Sequence, residues 1–399
     1  MSKTIYLDNN GTTYTCKIAR QAQELWSMEP YNPSSNNKFG VKAKAMIEDA
    51  KKKFSVALNA PCKNYMVLFT SGGSESNSMV MSAIIESRKN PHIIISEIEH
   101  KGILETCKRL NKKCGVDFSL VKPNENGIIT ADAVKSHIKK NTCLISVMFA
   151  NNETGVINDI KEIGELAGKR NIPFHCDAVQ AFGKVPINMK GLNINFLSAS
   201  SHKIYGPKGV GLLVLQRDMV NKYKMCGQIS GSQQETLRGG TENPGGIAGF
   251  LAAYSYVASN RQNKNIYLKS VLNEFITNLK YPIVFYCDRH KIKDPNQPHL
   301  VIIGDKKQRM PNTLLVAISF NGYCNLRLKG YLETRNIIVS IGSACNTASR
   351  AKASHVILAM GIEKKYRNVI RISIGDVNTK GEIKELAKQI NTFINATSK

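Results

Sequence analysis

Ser198-Ala199-Ser200-Ser201-His202-Lys203-Ile204-Tyr205-Gly206-Pro207-Lys208-Gly209 is a polar turn between two apolar runs. Ile194, Phe196 and Leu197 lead into it, and Val210, Leu212, Leu213 and Val214 lead away, the pattern of strand, turn and strand. Lys203 stands where the first strand gives out. A lysine fixed in a pocket loses its proton readily enough to form a Schiff base with an aldehyde. Ser200 and His202 beside it suit phosphate oxygens, and the aldehyde cofactor that carries a phosphate is pyridoxal phosphate. Taken alone, the stretch reads better as a surface lysine in a polar loop. The rest of the chain reverses that preference.

Similar units recur upstream. Met66 to Phe69 is a strand, and Thr70-Ser71-Gly72-Gly73-Ser74 turns it into a helix from Glu75 onward. Such a turn leaves backbone N–H groups free at the positive end of a helix, an arrangement that binds phosphate. Ile93 to Ile95 ends near Glu99-His100, Leu144 to Met148 runs into Asn151-Asn152, and Ile172 to Cys176 runs into Asp177 to Gln180. Asp159 and Glu162 have the spacing of a capping box before the apolar face Ile160, Ile163 and Leu166. The pair His175-Cys176 lacks a second pair at ligand spacing, so it reads as core and no metal site is expected. Alternating strands and helices predict an α/β fold with a mostly parallel sheet covered on both faces. The carboxyl ends of its strands share one edge, where ligands bind. His100, Asn152, Asp177, Gln180 and Ser200 to Lys203 all follow strands, which predicts a common pocket.

After the glycine-rich Gly227 to Gly246 the pattern changes. A helix through Ile266, Val271, Leu272 and Phe275, strands near 282–286 and 314–320, the strand Val369 to Ile374 and a last helix predict a second, smaller α/β unit. The boundary is expected near residue 260. Within that unit, Ser340 to Ser349 is made of small and polar residues around Cys345, the composition of a mobile loop carrying a thiol.

Composition narrows the class. The chain has 399 residues, 42% of them hydrophobic, enough for two domains. No apolar run reaches the roughly eighteen residues of a membrane span. Met1 to Asn10 lacks the apolar core of a signal peptide, so a cytoplasmic location is expected. Ten cysteines without a CxxC pair argue against a disulfide framework or a zinc ribbon. The formal charge of +25 comes from lysines in twos and threes, with no block of five. It reads as a basic surface, with weak and salt-sensitive nucleic-acid binding at most.

With these residues in view, the chain resembles a cysteine desulfurase of the NifS/IscS type, within the class V aminotransferases, a fold-type I PLP-dependent transferase. The resemblance runs nearly the full length. It rests on Tyr6 to Asn10 with Thr12-Thr13, Asn32 to Ser35, Thr70 to Asn77, Glu99-His100-Lys101, Asn151-Asn152-Glu153, His175 to Gln180, Ser200 to Gly209, Arg238 to Asn243, Arg309 to Thr313 and Gly342 to Cys345. It implies an N-terminal segment (1–14) associated with the small domain, and a large PLP-binding domain (15–260) with a seven-stranded sheet. The small C-terminal domain (261–399) would carry the catalytic cysteine loop.

By the same resemblance Lys203 carries the Schiff base and moves protons, and Asp177 keeps the pyridine nitrogen protonated. Gln180 and Asn152 hold the ring hydroxyl side, and His100 stacks on the ring and serves as an acid–base group. Gly73, Ser74, Ser200 and His202 hold the phosphate, joined by Thr241 from the other subunit of a homodimer. Arg371 clamps the substrate carboxylate, with Asn32 also on the substrate side. L-cysteine would be converted to L-alanine, the Cys345 thiolate taking the sulfur as a persulfide. An acceptor protein such as an iron–sulfur scaffold would receive it, for cluster assembly or tRNA thiolation. Gly11 stands where alanine is usual, Gly73-Ser74 replaces Ala-Thr, Ile341 replaces a serine, and Ile229 to Thr236 departs from the family pattern. The competing readings are a selenocysteine lyase, a plain aminotransferase, or a non-catalytic binding protein with a basic surface. Cys345 argues against the aminotransferase, and the set Lys203, Asp177, His100 and Cys345 against the last.

Overall fold

A computed structural model describes residues 3–86, 88–320, 323–341 and 353–398. Cys345 lies outside the described residues. Short apolar runs bounded by turn residues give the strands β1 (Ile5–Tyr6), β2 (Tyr65–Thr70), β3 (His92–Ser96), β4 (Asp117–Val121), β5 (Thr142–Ser146), β6 (Phe174–Asp177) and β7 (Phe196–Ser200). They continue as β8 (Gly211–Gln216), β9 (Ile283–Phe285), β10 (His299–Ile303), β11 (Thr313–Ser319), β12 (Ile337–Ile338) and β13 (Val369–Ser373).

Among the described residues the strands form three sheets. The largest has seven strands in the order β2-β8-β7-β6-β5-β3-β4. Neighbours from β7 to β4 run parallel, whereas β8 is antiparallel to β7 and β2. Every residue of β3, β6 and β7 is buried, as befits strands covered on both faces. Alternate residues feed two cores. Val67, Phe69, Ile94 and Leu197 pack with Phe54 and Phe250 on one side. Met66, Leu68, Ile93 and Phe196 pack with Met79, Ile84 and Ile103 on the other. A smaller sheet in the order β13-β11-β10-β9 has its own core, which also takes in Leu7. β1 pairs with β12 in parallel. No helix among the described residues is long and apolar enough to cross a membrane.

One local expectation fails. Asp159 does precede the helix Ile160–Lys169, but its side chain caps nothing there. Gln308 Nε2 donates to Asp159 Oδ1 at 3.1 Å instead. The spacing Thr379/Glu382 forms a true capping box instead.

Candidate active site

Parallel β7, β6, β5 and β3, together with β2, point their carboxyl ends to one edge, and the turns that follow them enclose a cavity of about 630 Å³. Its lining includes Gly73, Ser74, His100, Asn152, Asp177, Gln180, Ser200, His202, Lys203 and Arg371. Ten residues expected to share a pocket thus do share one. Asn32 and Thr241 do not line it; both are exposed. The Asn32 side chain accepts from the Ser34 N–H at 3.0 Å within its own turn.

Lys203 closes the short turn after β7. Its amine donates to the carbonyls of Asn10, at 2.6 Å, and Gly11. Burial, and then the charge of Arg371, lowers its pKa to about 8, against the pull of Asp8 and Asp177. About a tenth is therefore unprotonated at pH 7, far more than for an ordinary lysine, as a nucleophilic amine requires. In the cofactor-free protein, borohydride-trappable attachment of pyridoxal phosphate to Lys203 should quicken about tenfold per pH unit up to about 8 and then level off. Peptide mapping across a pH series measures this, and a profile still climbing steeply toward the ordinary lysine value would contradict it.

Asp177 ends β6 in a buried position. The Val179 N–H donates to Oδ1 at 2.9 Å and Asn77 Nδ2 donates to Oδ2 at 2.7 Å. Burial raises its pKa, while these two bonds and the charges of His100 and Lys203 act to keep it ionised. A cation facing it would favour the carboxylate further. His100 caps the helix Lys101–Cys114, with Nδ1 accepting from the Gly102 N–H at 3.1 Å. The neutral ring therefore carries its proton on Nε2. Burial lowers its pKa, against the attraction of Asp177.

Behind these groups lie Asn10 and Glu99, to which sequence reading assigned no role, and His175, which it read as core. Asn10 gathers the site: its carbonyl accepts from Lys203 and from Gln180 Nε2 at 3.1 Å. Its side chain donates to Thr313 Oγ1 at 2.8 Å and accepts from Asn312 at 3.2 Å, and its N–H donates to Ser373 Oγ at 3.0 Å. Glu99 is fully buried, accepts from the Met148 N–H at 2.7 Å, and is pushed up to about 8 by burial. His175 lies between Ser146 and Ser198 at 2.8 and 3.0 Å, both ring nitrogens engaged by hydroxyls of neighbouring strands. Burial holds its pKa down at about 3, so it belongs to the core.

The donor set fits pyridoxal phosphate. Lys203 offers an amine and Asp177 a carboxylate. Gln180 Oε1 is buried without a hydrogen-bond partner and is free to accept from a ring hydroxyl. The helix Gly73–Glu86 starts beside Ser200, and a Cβ at Gly73 would lie 2.6 Å from Val179 Cγ2, so only glycine lets that turn come so close.

Comparison with known proteins gives a consistent result. The family profile Aminotransferase class-V matches residues 5–386. Cysteine desulfurase IscS of Clostridium botulinum is 38% identical over 393 residues, covering 96% of this chain and 92% of that protein. Cysteine desulfurase IscS of Methanosarcina thermophila is 35% identical over 397 residues, covering 98% and 92%. Among solved structures, a NifS-like protein from Rickettsia africae superposes with a TM-score of 0.82 at 28% identity, covering 98% of this chain and all of that one (100%). The structure of SspA in complex with cysteine gives 0.75 at 30% identity, covering 94% and 100%.

Proposed function

Since the chain belongs to the class V aminotransferase family, among its cysteine desulfurases, we propose that it converts L-cysteine to L-alanine with pyridoxal phosphate and takes the sulfur on Cys345. The observation that carries this reading is the convergence of Lys203, Asp177, His100 and Arg371 on one cavity. Bound pyridoxal phosphate supplies an electron sink for the carbon that bears the substrate amine. Asp177 would face the pyridine nitrogen, Gln180 and Asn152 the ring hydroxyl, and Gly73, Ser74, Ser200 and His202 the phosphate. Arg371 orients the substrate carboxylate. Lys203 Nζ would remove the Cα proton of the bound substrate. His100 Nε2 holds a proton at the cavity wall. The Cys345 thiolate then attacks the substrate sulfur: an S–S bond forms, the C–S bond breaks, and its electron pair returns to the carbon skeleton, which takes up protons to become alanine. The resulting persulfide serves an acceptor protein, such as an iron–sulfur scaffold or a tRNA-thiolating enzyme.

The SspA structure with cysteine supports the choice of substrate. The direct assay is alanine and sulfide release from L-cysteine, with and without a thiol reductant. Alanine should appear stoichiometrically with persulfide before reductant is added, and turnover should follow its addition. Absence of alanine under both conditions would refute the proposal.

The active unit is proposed to be a homodimer. Thr241 is exposed and away from its own chain's cavity, and the neighbouring Glu242 has a buried carboxylate oxygen without a hydrogen-bond partner. Arg238 in the same segment is tied to Glu75, beside the phosphate turn, at 3.0 Å. A segment so placed can serve the site of a second copy. Light scattering should give a dimer; a monomer that still consumes cysteine would rule out shared sites.

A further inference from the structure

Arg371 enters the cavity already holding a carboxylate. Its Nη2 pairs with Asp8 Oδ1 at 2.5 Å and its Nη1 donates to the Asn152 carbonyl at 3.0 Å. Its Nε is buried without an acceptor. The guanidinium side chain is only 7% exposed, whereas Asp8 is 27% exposed and lines the cavity. Backbone on both sides is fixed. The Leu7 carbonyl accepts from the Ser373 N–H at 2.8 Å, and Arg371 belongs to β13. Only the Asp8 side chain has room to turn.

That room is made by Gly11. A Cβ there would lie 2.6 Å from Asp8 Oδ2 and 3.1 Å from the Asp8 carbonyl oxygen. The backbone at Gly11 is not in the left-handed region, so any residue could adopt its conformation. What glycine provides is space for the carboxylate.

Resting on the reading of Arg371 as the clamp for an amino-acid carboxylate, we infer that Asp8 is a built-in stand-in for that carboxylate, held on Arg371 by the space at Gly11 and displaced when substrate enters. A buried guanidinium left without an anion is costly. Asp8 removes that cost while the site is empty, and a ligand carboxylate must compete with it. The competition weakens substrate and product alike, and returning Asp8 to Arg371 helps alanine leave. An amine without a carboxylate leaves the pair intact and gains nothing from its loss.

Titration calorimetry of the cofactor-loaded protein with L-alanine and with ethylamine tests this without turnover. Asp8→Asn should bind L-alanine about tenfold tighter, with ethylamine changed by less than about twofold. Gly11→Ala keeps the charge but crowds it off Arg371, and should tighten L-alanine about threefold with ethylamine again unmoved. Thermal unfolding checks that each variant is folded; should Asp8→Asn fail that check, Gly11→Ala decides. L-alanine binding that is absent, weakened or unchanged, or a parallel shift for both ligands, overturns the inference and leaves Asp8 a structural partner of Arg371. The two readings separate cleanly. A wild-type protein that desulfurates cysteine while the variants show no selective gain defeats only the stand-in. Selective gain in a protein that releases no alanine from cysteine defeats only the desulfurase assignment.

Discussion

Lys203→Ala is expected to abolish covalent attachment of pyridoxal phosphate and to lower alanine release from L-cysteine by at least about a thousandfold. Two functions are lost together, the amine that anchors the cofactor and the base that moves the Cα proton. Among the described residues Lys101 also lines the cavity, but it is exposed and opens the helix Lys101–Cys114 rather than closing the turn after β7. Lys208, five residues on, is exposed and does not line the cavity. The fold should tolerate the change. Lys203 donates only to the Asn10 and Gly11 carbonyls, and its depressed pKa shows that burial already disfavours its charged form. Removing it should shift stability by about 1 kcal/mol or less. Borohydride trapping with peptide mapping, together with a melting curve, checks both halves. Label retained in Lys203→Ala, or label on Lys208 in the wild type, would move the site.

Cys345→Ser is expected to keep cofactor attachment and L-cysteine binding, seen as a spectral change on adding substrate. It should lose alanine release by at least about a hundredfold and carry no persulfide. The argument is chemical. A thiolate is the nucleophile that attacks sulfur, and a serine hydroxyl is not ionised at neutral pH and cannot form an S–S bond. The described cysteines are poor substitutes. Cys107, Cys143 and Cys176 are buried with pKa values raised by burial, so they hold little thiolate. None of the described cysteines lines the cavity. Mass spectrometry of the protein after one turnover reads the persulfide directly. Full activity in Cys345→Ser would mean that sulfur leaves by direct elimination.

Much of this site can be read from sequence because parallel sheets put their chemistry at strand ends. Lys203, Asp177 and His100 each follow an apolar run, and the topology alone carries them to one edge. What stayed hidden depends on long-range contact or on burial. Asn77 supports Asp177 from 100 residues away, and no local pattern announces that bond. Asp8 looks like an ordinary turn former until Arg371, 363 residues later, is seen beside it. Glu99 is placed by its sequence only near the end of a strand, and its burial emerges once the sheet encloses it. The capping-box spacing at Asp159 misled too: its side chain makes no cap bond and pairs with the distant Gln308. Thr241 and Asn32 were placed by resemblance, and a single chain brings neither to the cavity.

The contacts of Asn10 also set a schedule. This residue leaves the ribosome 302 to 363 residues ahead of the partners that hold its side chain and its N–H, Asn312, Thr313 and Ser373. At about 5–20 residues per second the gap is tens of seconds. During that interval the carbonyl that will position Lys203 has no fixed place, however well the central sheet has formed. A nascent chain should therefore be unable to retain its cofactor until Ser373 has emerged, which keeps the amine of Lys203 from working while its surroundings are incomplete.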